Sequence, residues 1–94
     1  MKQSYLYVLE LEYGCFFIGY AIDVKSRIAK CFNGTANKVT KAYKPIRVVE
    51  ICKGDQYDII IKEKEYVEKY GRDRVLSHAY KQHSKYNFAK RKYI

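Results

Sequence analysis

Two charged side chains in this sequence of 94 residues stand where helices would fix them in place. Arg27 closes the run YLYVLELEYGCFFIGYAIDVKSR, which begins at Tyr5. A guanidinium there can give a forked, charge-assisted contact to a carboxylate or phosphate that lysine could not copy. Glu63 shares a helical row with Ile59, Tyr66 and Tyr70. A carboxylate between apolar neighbours is either a boundary residue with its head in solvent or a buried functional group, and on the pattern alone the boundary reading is the simpler. Zinc chemistry is set aside, because Cys15, Cys31 and Cys52 are widely spaced, form no Cys-x-x-Cys pair, and find no paired ligands in His78 and His83. Reduced, mostly buried thiols are the expectation.

The net charge of +9 matters for where it lies. Between Asp23 and Glu50 there is no acid but seven bases, Lys25, Arg27, Lys30, Lys38, Lys41, Lys44 and Arg47. After Asp73 six more follow, Arg74, Lys81, Lys85, Lys90, Arg91 and Lys92, while Asp55, Asp58, Glu63, Glu65 and Glu68 gather in one segment. Such segregation predicts a basic surface for a polyanion, most simply nucleic-acid phosphate. The eleven tyrosines read as amphipathic cover for a small core before they read as platforms for stacked bases.

The elements that would position these groups follow from the apolar pattern. Tyr5 to Leu11 and Cys15 to Tyr20 read as strands joined by a turn at Tyr13-Gly14. Asp23 stands as the N-cap of a helix whose stripe is Val24, Ile28, Cys31 and Phe32, stopping before Asn33-Gly34. Thr35 to Lys44 is a basic connection without clear periodicity; Pro45 then sets up a third strand from Ile46 to Cys52. Asp55 is the expected cap of a helix from Gln56 to about Tyr70, ended by Gly71, and Arg72 to Leu76 reads as a short helix or turn. One domain, residues 1–94, with a basic tail at about 89–94, is the expectation. No apolar run reaches the length of a membrane span, and Met1 to Ser4 leads into a strand instead of a signal-peptide apolar region, so an intracellular, cytoplasmic protein without a membrane partner is expected.

Tyr5-Leu6-Tyr7, then Phe17-Ile18-Gly19, then Arg27 eight residues beyond that glycine, resemble the signature of the GIY-YIG nuclease family. The block GTANKVTKAYKPIRVVEI is similar to the family's basic loop running through Lys-Pro into a third strand, and Tyr86-Asn87-Phe88 resembles its late Tyr-Asn-apolar segment. The likeness runs over roughly residues 5–88. It implies an α+β fold, a small three-stranded antiparallel sheet flanked by helices, and the order of elements read above agrees with it.

The resemblance implies an endonuclease that hydrolyses phosphodiester bonds, with nucleic acid, first of all DNA, as its partner. It reverses the preference at Glu63, which becomes the ligand of one divalent cation, Mg²⁺ or Mn²⁺, with Glu65 and then Asp58 as weaker choices. Arg27 would contact the scissile phosphate, Tyr7 would orient or deprotonate water, Asn87 would lie near the site, and Lys25, Lys30, Lys38, Lys41 and Lys44 would track the backbone. Two positions depart from the pattern: Phe17 replaces the second motif tyrosine, and Cys31 stands where many members have histidine. Tyr20 would supply the missing hydroxyl only if its strand were bulged. The alternative is a catalytically inactive nucleic-acid-binding or interaction module on the same scaffold.

Overall fold

Alternating apolar residues build a central hairpin. In the computed structural model, which describes residues 3–77, strands β1 (Tyr5–Leu11) and β2 (Phe16–Ala21) pair antiparallel in unbroken register from Tyr5 opposite Ala21 to Glu10 opposite Phe16. The reversal is a 3-10 turn, Glu12–Gly14, in which Tyr13 (φ 65°) and Gly14 (φ 71°) take left-handed backbone. Tyr13 tolerates that conformation with its ring edge-on to Tyr43, centroids 6.1 Å apart.

Helix α1 (Val24–Phe32) starts as the sequence predicts, with the Asp23 carboxylate accepting from the Ser26 N–H at 3.2 Å. Its stripe buries Cys31 and half-buries Val24 and Ile28, whereas Phe32, at the last helical position, is exposed. The basic connection contains a short helix, α2 (Lys38–Ala42), where none was expected; Asn37 caps it by accepting from the Thr40 N–H at 2.9 Å. Strand β3 (Pro45–Lys53) then pairs antiparallel with the free side of β1, with register shifts between Val8 and Leu9 and between Glu10 and Leu11.

Helix α3 (Asp58–Tyr70) begins two residues later than predicted. Asp55 does not cap it. Its carboxylate accepts from the Tyr57 N–H while its own N–H donates to Asp58, both at 2.9 Å, so Asp55 shapes the preceding turn. Gly71, at φ 101°, ends the helix by donating its N–H to the Val67 carbonyl.

The expectation of three antiparallel strands is corrected here. After a 3-10 turn at Arg72–Arg74, Val75–Ser77 forms β4, parallel to β2 through Phe16–Val75, Phe17–Leu76 and Ile18–Ser77. The sheet is mixed, in the order β3-β1-β2-β4. Three residues carry too little periodicity to announce a strand, but all three are fully buried, and pairing with β2 satisfies their backbone.

The strand period of two divides the core between two layers. Tyr7, Leu9, Leu11, Phe17 and Leu76 face α1 and α2, with Cys31 and Val39. Leu6, Val8, Phe16, Ile18 and Val75 face α3, with Ile59 and Tyr66. No helix among the described residues is long and apolar enough to cross a membrane.

Candidate functional site

Antiparallel register sets Tyr7 opposite Gly19, and Phe17 two residues earlier on the same face of β2. The Tyr7 and Phe17 rings lie 6.2 Å apart. Gly19 is where the Tyr7 phenol lies: a Cβ built on it would be 2.5 Å from Tyr7 Oη. The hydroxyl approaches Cys31 Sγ at 3.9 Å, so the cysteine one helical turn after Arg27 touches the motif tyrosine directly. Burial pushes the Tyr7 phenol well above the ordinary tyrosine range; Cys31 adds to the rise, and the Arg27 guanidinium works against it. Burial likewise raises the Cys31 thiol, with hydrogen bonding to Tyr7 opposing. Near neutral pH Tyr7 is therefore a protonated phenol that can donate and orient, and deprotonating a water would need the phenolate it does not form there.

Arg27 is half-buried on α1 and has no carboxylate partner among the described residues. Arg47 and Arg72 are engaged by Glu10 at 2.7 Å and Glu63 at 2.9 Å respectively. Arg27 instead lines a cleft of about 520 Å³ with Ser26 and Lys30 on α1 and with Tyr20, Ala21, Ile22 and Asp23. Lys25, Lys30, Lys38, Lys41 and Lys44 are all exposed along the α1–α2 connection. These lysines lie on or beside α1 and α2, in the same layer as Arg27.

Glu63 comes from the opposite layer. Its row, with Ile59 and Tyr66 buried beside it, faces the sheet, and its side chain is only 15% exposed, so the boundary reading with its head in solvent does not hold. Glu63 Oε2 accepts from Arg72 Nη2 at 2.9 Å and from Ser77 Oγ at 3.1 Å. Ser77 pairs with Ile18, the residue before Gly19, and the described pairing of β2 with β4 ends there. Tyr7 and Glu63 therefore approach neighbouring positions of β2 from opposite faces, and Glu63 does not line the Arg27 cleft. Neither partner of Glu63 is announced by sequence pattern; Gly71 is the signal that the chain reverses there and returns Arg72 toward α3.

The donor set can be tested against a divalent cation. Among the described residues no three His, Cys, Asp or Glu side chains gather around one point. Mg²⁺ needs fewer: it keeps several waters and is commonly held by one or two carboxylates. Glu63 offers Oε1 alone, with the Arg72 guanidinium already on Oε2 and no cluster of further acids beside it, so the described residues do not by themselves complete a cation site. The competitors fit less well. Glu65 is exposed and pairs with Lys62 at 3.5 Å, and Asp58 is occupied by the Asp55 N–H. Tyr20 lies on the α3 side and donates to Gln56 Oε1 at 3.1 Å; with β1 and β2 in unbroken register it does not replace the hydroxyl missing at Phe17. Asn87 lies outside the described residues.

The chain is 37% identical over 49 residues to a UPF0213 protein of Staphylococcus saprophyticus, covering 52% of this chain and 60% of that protein. It is 36% identical over 47 residues to a UPF0213 protein of Streptococcus pneumoniae, covering 50% and 48%, and 35% identical over 49 residues to one of Staphylococcus epidermidis, covering 52% and 60%. The chain spans about half the length of the curated relatives it matches, from 48% to 60%. Their names state no activity. No protein-family profile matches the chain, and no solved structure does. Over about half its length, then, the chain is similar to the UPF0213 proteins.

Proposed function

We propose that this chain is a GIY-YIG-like domain that acts on the nucleic-acid backbone as a metal-dependent endonuclease, with DNA as its substrate. The observation that carries this reading is Arg27. It is half-buried, without a carboxylate within ion-pair distance among the described residues, near enough to the motif tyrosine to oppose the rise in its pKa, and open to a cleft it shares with Lys30 and Asp23. A guanidinium left uncompensated beside a basic layer is suited to an anion with several oxygens, and a phosphodiester is one. Lys25, Lys38, Lys41 and Lys44 extend the same positive field along the backbone.

In this reading Arg27 binds the scissile phosphate and neutralises charge that grows on its oxygens. Tyr7 holds its proton and orients Arg27 from beneath the cleft. Glu63 is the carboxylate the resemblance offers for one Mg²⁺ or Mn²⁺, through Oε1, but it stands across the sheet from the Arg27 cleft, with Ser77 and Arg72 on Oε2. Such an ion, when bound, supplies electrostatic stabilisation of phosphoryl charge and lowers the pKa of a coordinated water.

Nicking of plasmid, branched and single-stranded substrates in Mg²⁺ or Mn²⁺ tests the proposal, with Arg27→Ala and Glu63→Gln as controls. Metal-dependent cleavage that both substitutions abolish supports it. The second reading, a nucleic-acid-binding module without catalysis, is favoured by one observation: Phe17, fully buried, puts a ring without a hydroxyl where the family signature has its second tyrosine. Salt-sensitive binding with no cleavage under any of these conditions would establish that reading instead.

A further inference from the structure

The reversal between β1 and β2 carries a residue that its geometry disfavours. Tyr13 and Gly14 both have positive φ, the requirement of a type I′ hairpin turn, whose first central position suits asparagine, aspartate or glycine. Tyr13 is the one non-glycine with positive φ among the described residues. A bulky side chain there costs energy, and burial does not offset it, since Tyr13 is 77% exposed. The turn is nonetheless held firmly. The Glu12 N–H donates to the Lys44 carbonyl at 2.9 Å, and Glu12 Oε1 accepts from the Lys44 N–H at 3.0 Å, which staples the reversal to the segment after α2. Against it stands Tyr43, itself packed on the α1–α2 side of the core.

Cations flank the ring. Lys44, at the staple, and Lys41, in the last turn of α2, are exposed. A Cβ built on Gly14 would lie 2.5 Å from Arg74 Nη1, so that guanidinium rests against the turn. The Glu12 carboxylate is turned onto the Lys44 backbone. The α1–α2 layer begins at Asp23, in the Arg27 cleft, and ends at Tyr43. Tyr13 therefore marks the far end of the basic layer, about 20 Å from the cleft along the six residues of β2.

We infer that Tyr13 is a stacking platform for an unpaired base, and that the nucleic acid taken by this layer is single-stranded or carries a single-stranded segment. This inference rests on the proposed reading of the basic layer as a nucleic-acid surface. Bases of a single strand stack on aromatic rings displayed among cations, whereas those of an intact duplex already stack on one another. The disfavoured turn displays the ring; asparagine or glycine would make the same hairpin more readily and leave no platform. A second copy of this chain is the other occupant an exposed tyrosine could take. The net charge of +9 and the cations around the turn oppose a contact between two such surfaces.

Affinities for an oligothymidylate and for a blunt duplex, measured by fluorescence anisotropy in EDTA at several salt concentrations, test this. Tyr13→Asn should bind the single strand about five- to tenfold more weakly and the duplex as wild type does. Asparagine suits the turn, and circular dichroism checks that the variant is folded. Tyr13→Phe keeps the ring and should bind the single strand like wild type. Ultraviolet crosslinking of an oligonucleotide carrying iodouracil should map to Tyr13. If the single strand binds in a salt-sensitive way but Tyr13→Asn leaves its affinity unchanged, the platform is wrong, while the nucleic-acid reading stands. If Tyr13→Asn instead abolishes a concentration-dependent dimerisation of wild type at unchanged affinity, the ring serves a contact between copies and the inference is overturned. If neither oligonucleotide binds in a salt-sensitive way, the nucleic-acid reading itself fails and takes the platform with it.

Discussion

Tyr7 and Gly19 face each other across the hairpin at a distance that leaves no room for a methyl group: a Cβ on Gly19 would meet Tyr7 Oη at 2.5 Å and Cζ at 2.6 Å. The requirement is steric, since Gly19 is not among the residues with positive φ. Gly19→Ala should therefore cost about 1–3 kcal/mol of stability through overpacking. Denaturant unfolding measures it. Tyr7→Phe combined with Gly19→Ala should recover only part of the loss, because the ring carbon crowds the site as closely as the oxygen.

Arg27 has a different kind of consequence. If it contacts phosphate, Arg27→Ala should weaken DNA binding by about tenfold and lower the slope of log affinity against log salt by about one contact. Arg27→Lys should restore the slope but not the full affinity, since lysine keeps the charge and loses the fork. Titrations at several salt concentrations separate the two effects. An unchanged slope in Arg27→Ala would remove this residue from the interface.

Between β3 and α3, the Tyr66 hydroxyl donates to Glu50 Oε2 and Lys62 pairs with the other oxygen at 3.3 Å. The Tyr66 hydrogen bond, against the effect of burial and with Lys62 adding, holds the Glu50 carboxyl below the usual carboxylate range. A group whose folded pKa is depressed contributes stability above its unfolded value and loses it as pH falls through the folded one. Wild type should therefore lose more stability than Tyr66→Phe between about pH 5 and pH 3, the range in which an unperturbed glutamate begins to titrate. At neutral pH the substitution should cost about 1 kcal/mol. Burial, reinforced by Glu50, raises the Tyr66 phenol itself, so its contribution is present below the ordinary tyrosine pKa and lost as pH rises above it.

The hydroxyl absent at Phe17 can be returned. Phe17→Tyr should raise the rate of metal-dependent nicking while leaving DNA affinity unchanged, at a stability cost of about 1–3 kcal/mol for placing a polar group in a fully buried position. Parallel measurement of nicking rate and dissociation constant checks it. An active wild type with no gain in the variant would mean that Tyr7 or another group suffices.

The hairpin, the Asp23 cap, the third strand and the long helix were legible because each rests on local pattern: strand period, a capping side chain, a proline, a terminal glycine. What escaped was short or non-local. α2 has five residues, too few for periodicity, though the Asn37–Thr40 spacing was a capping signal that could have found it. β4 exists because β2 offers it a partner some sixty residues away in sequence, and no local pattern reports that. The contact of Tyr7 with Cys31, one turn after Arg27, follows from register and one helix cap. The partners of Glu63 instead depend on where the chain returns after Gly71, which only tertiary structure decides.

The sheet also separates a basic layer from one of balanced charge. Exposed lysines crowd the α1–α2 side, while on α3 behind it the exposed Glu65 and Glu68 are matched by the exposed Lys64 and Lys69. Net positive charge on one side of a thin slab and balance on the other give these two layers an electric moment, so a nearby polyanion exerts a torque on the molecule before contact is made. Within a screening length of about 8 Å at physiological salt, that torque turns the Arg27 cleft toward the nucleic acid. Collisions are thereby sorted by orientation, and raising the ionic strength should slow capture of nucleic acid more than it speeds release.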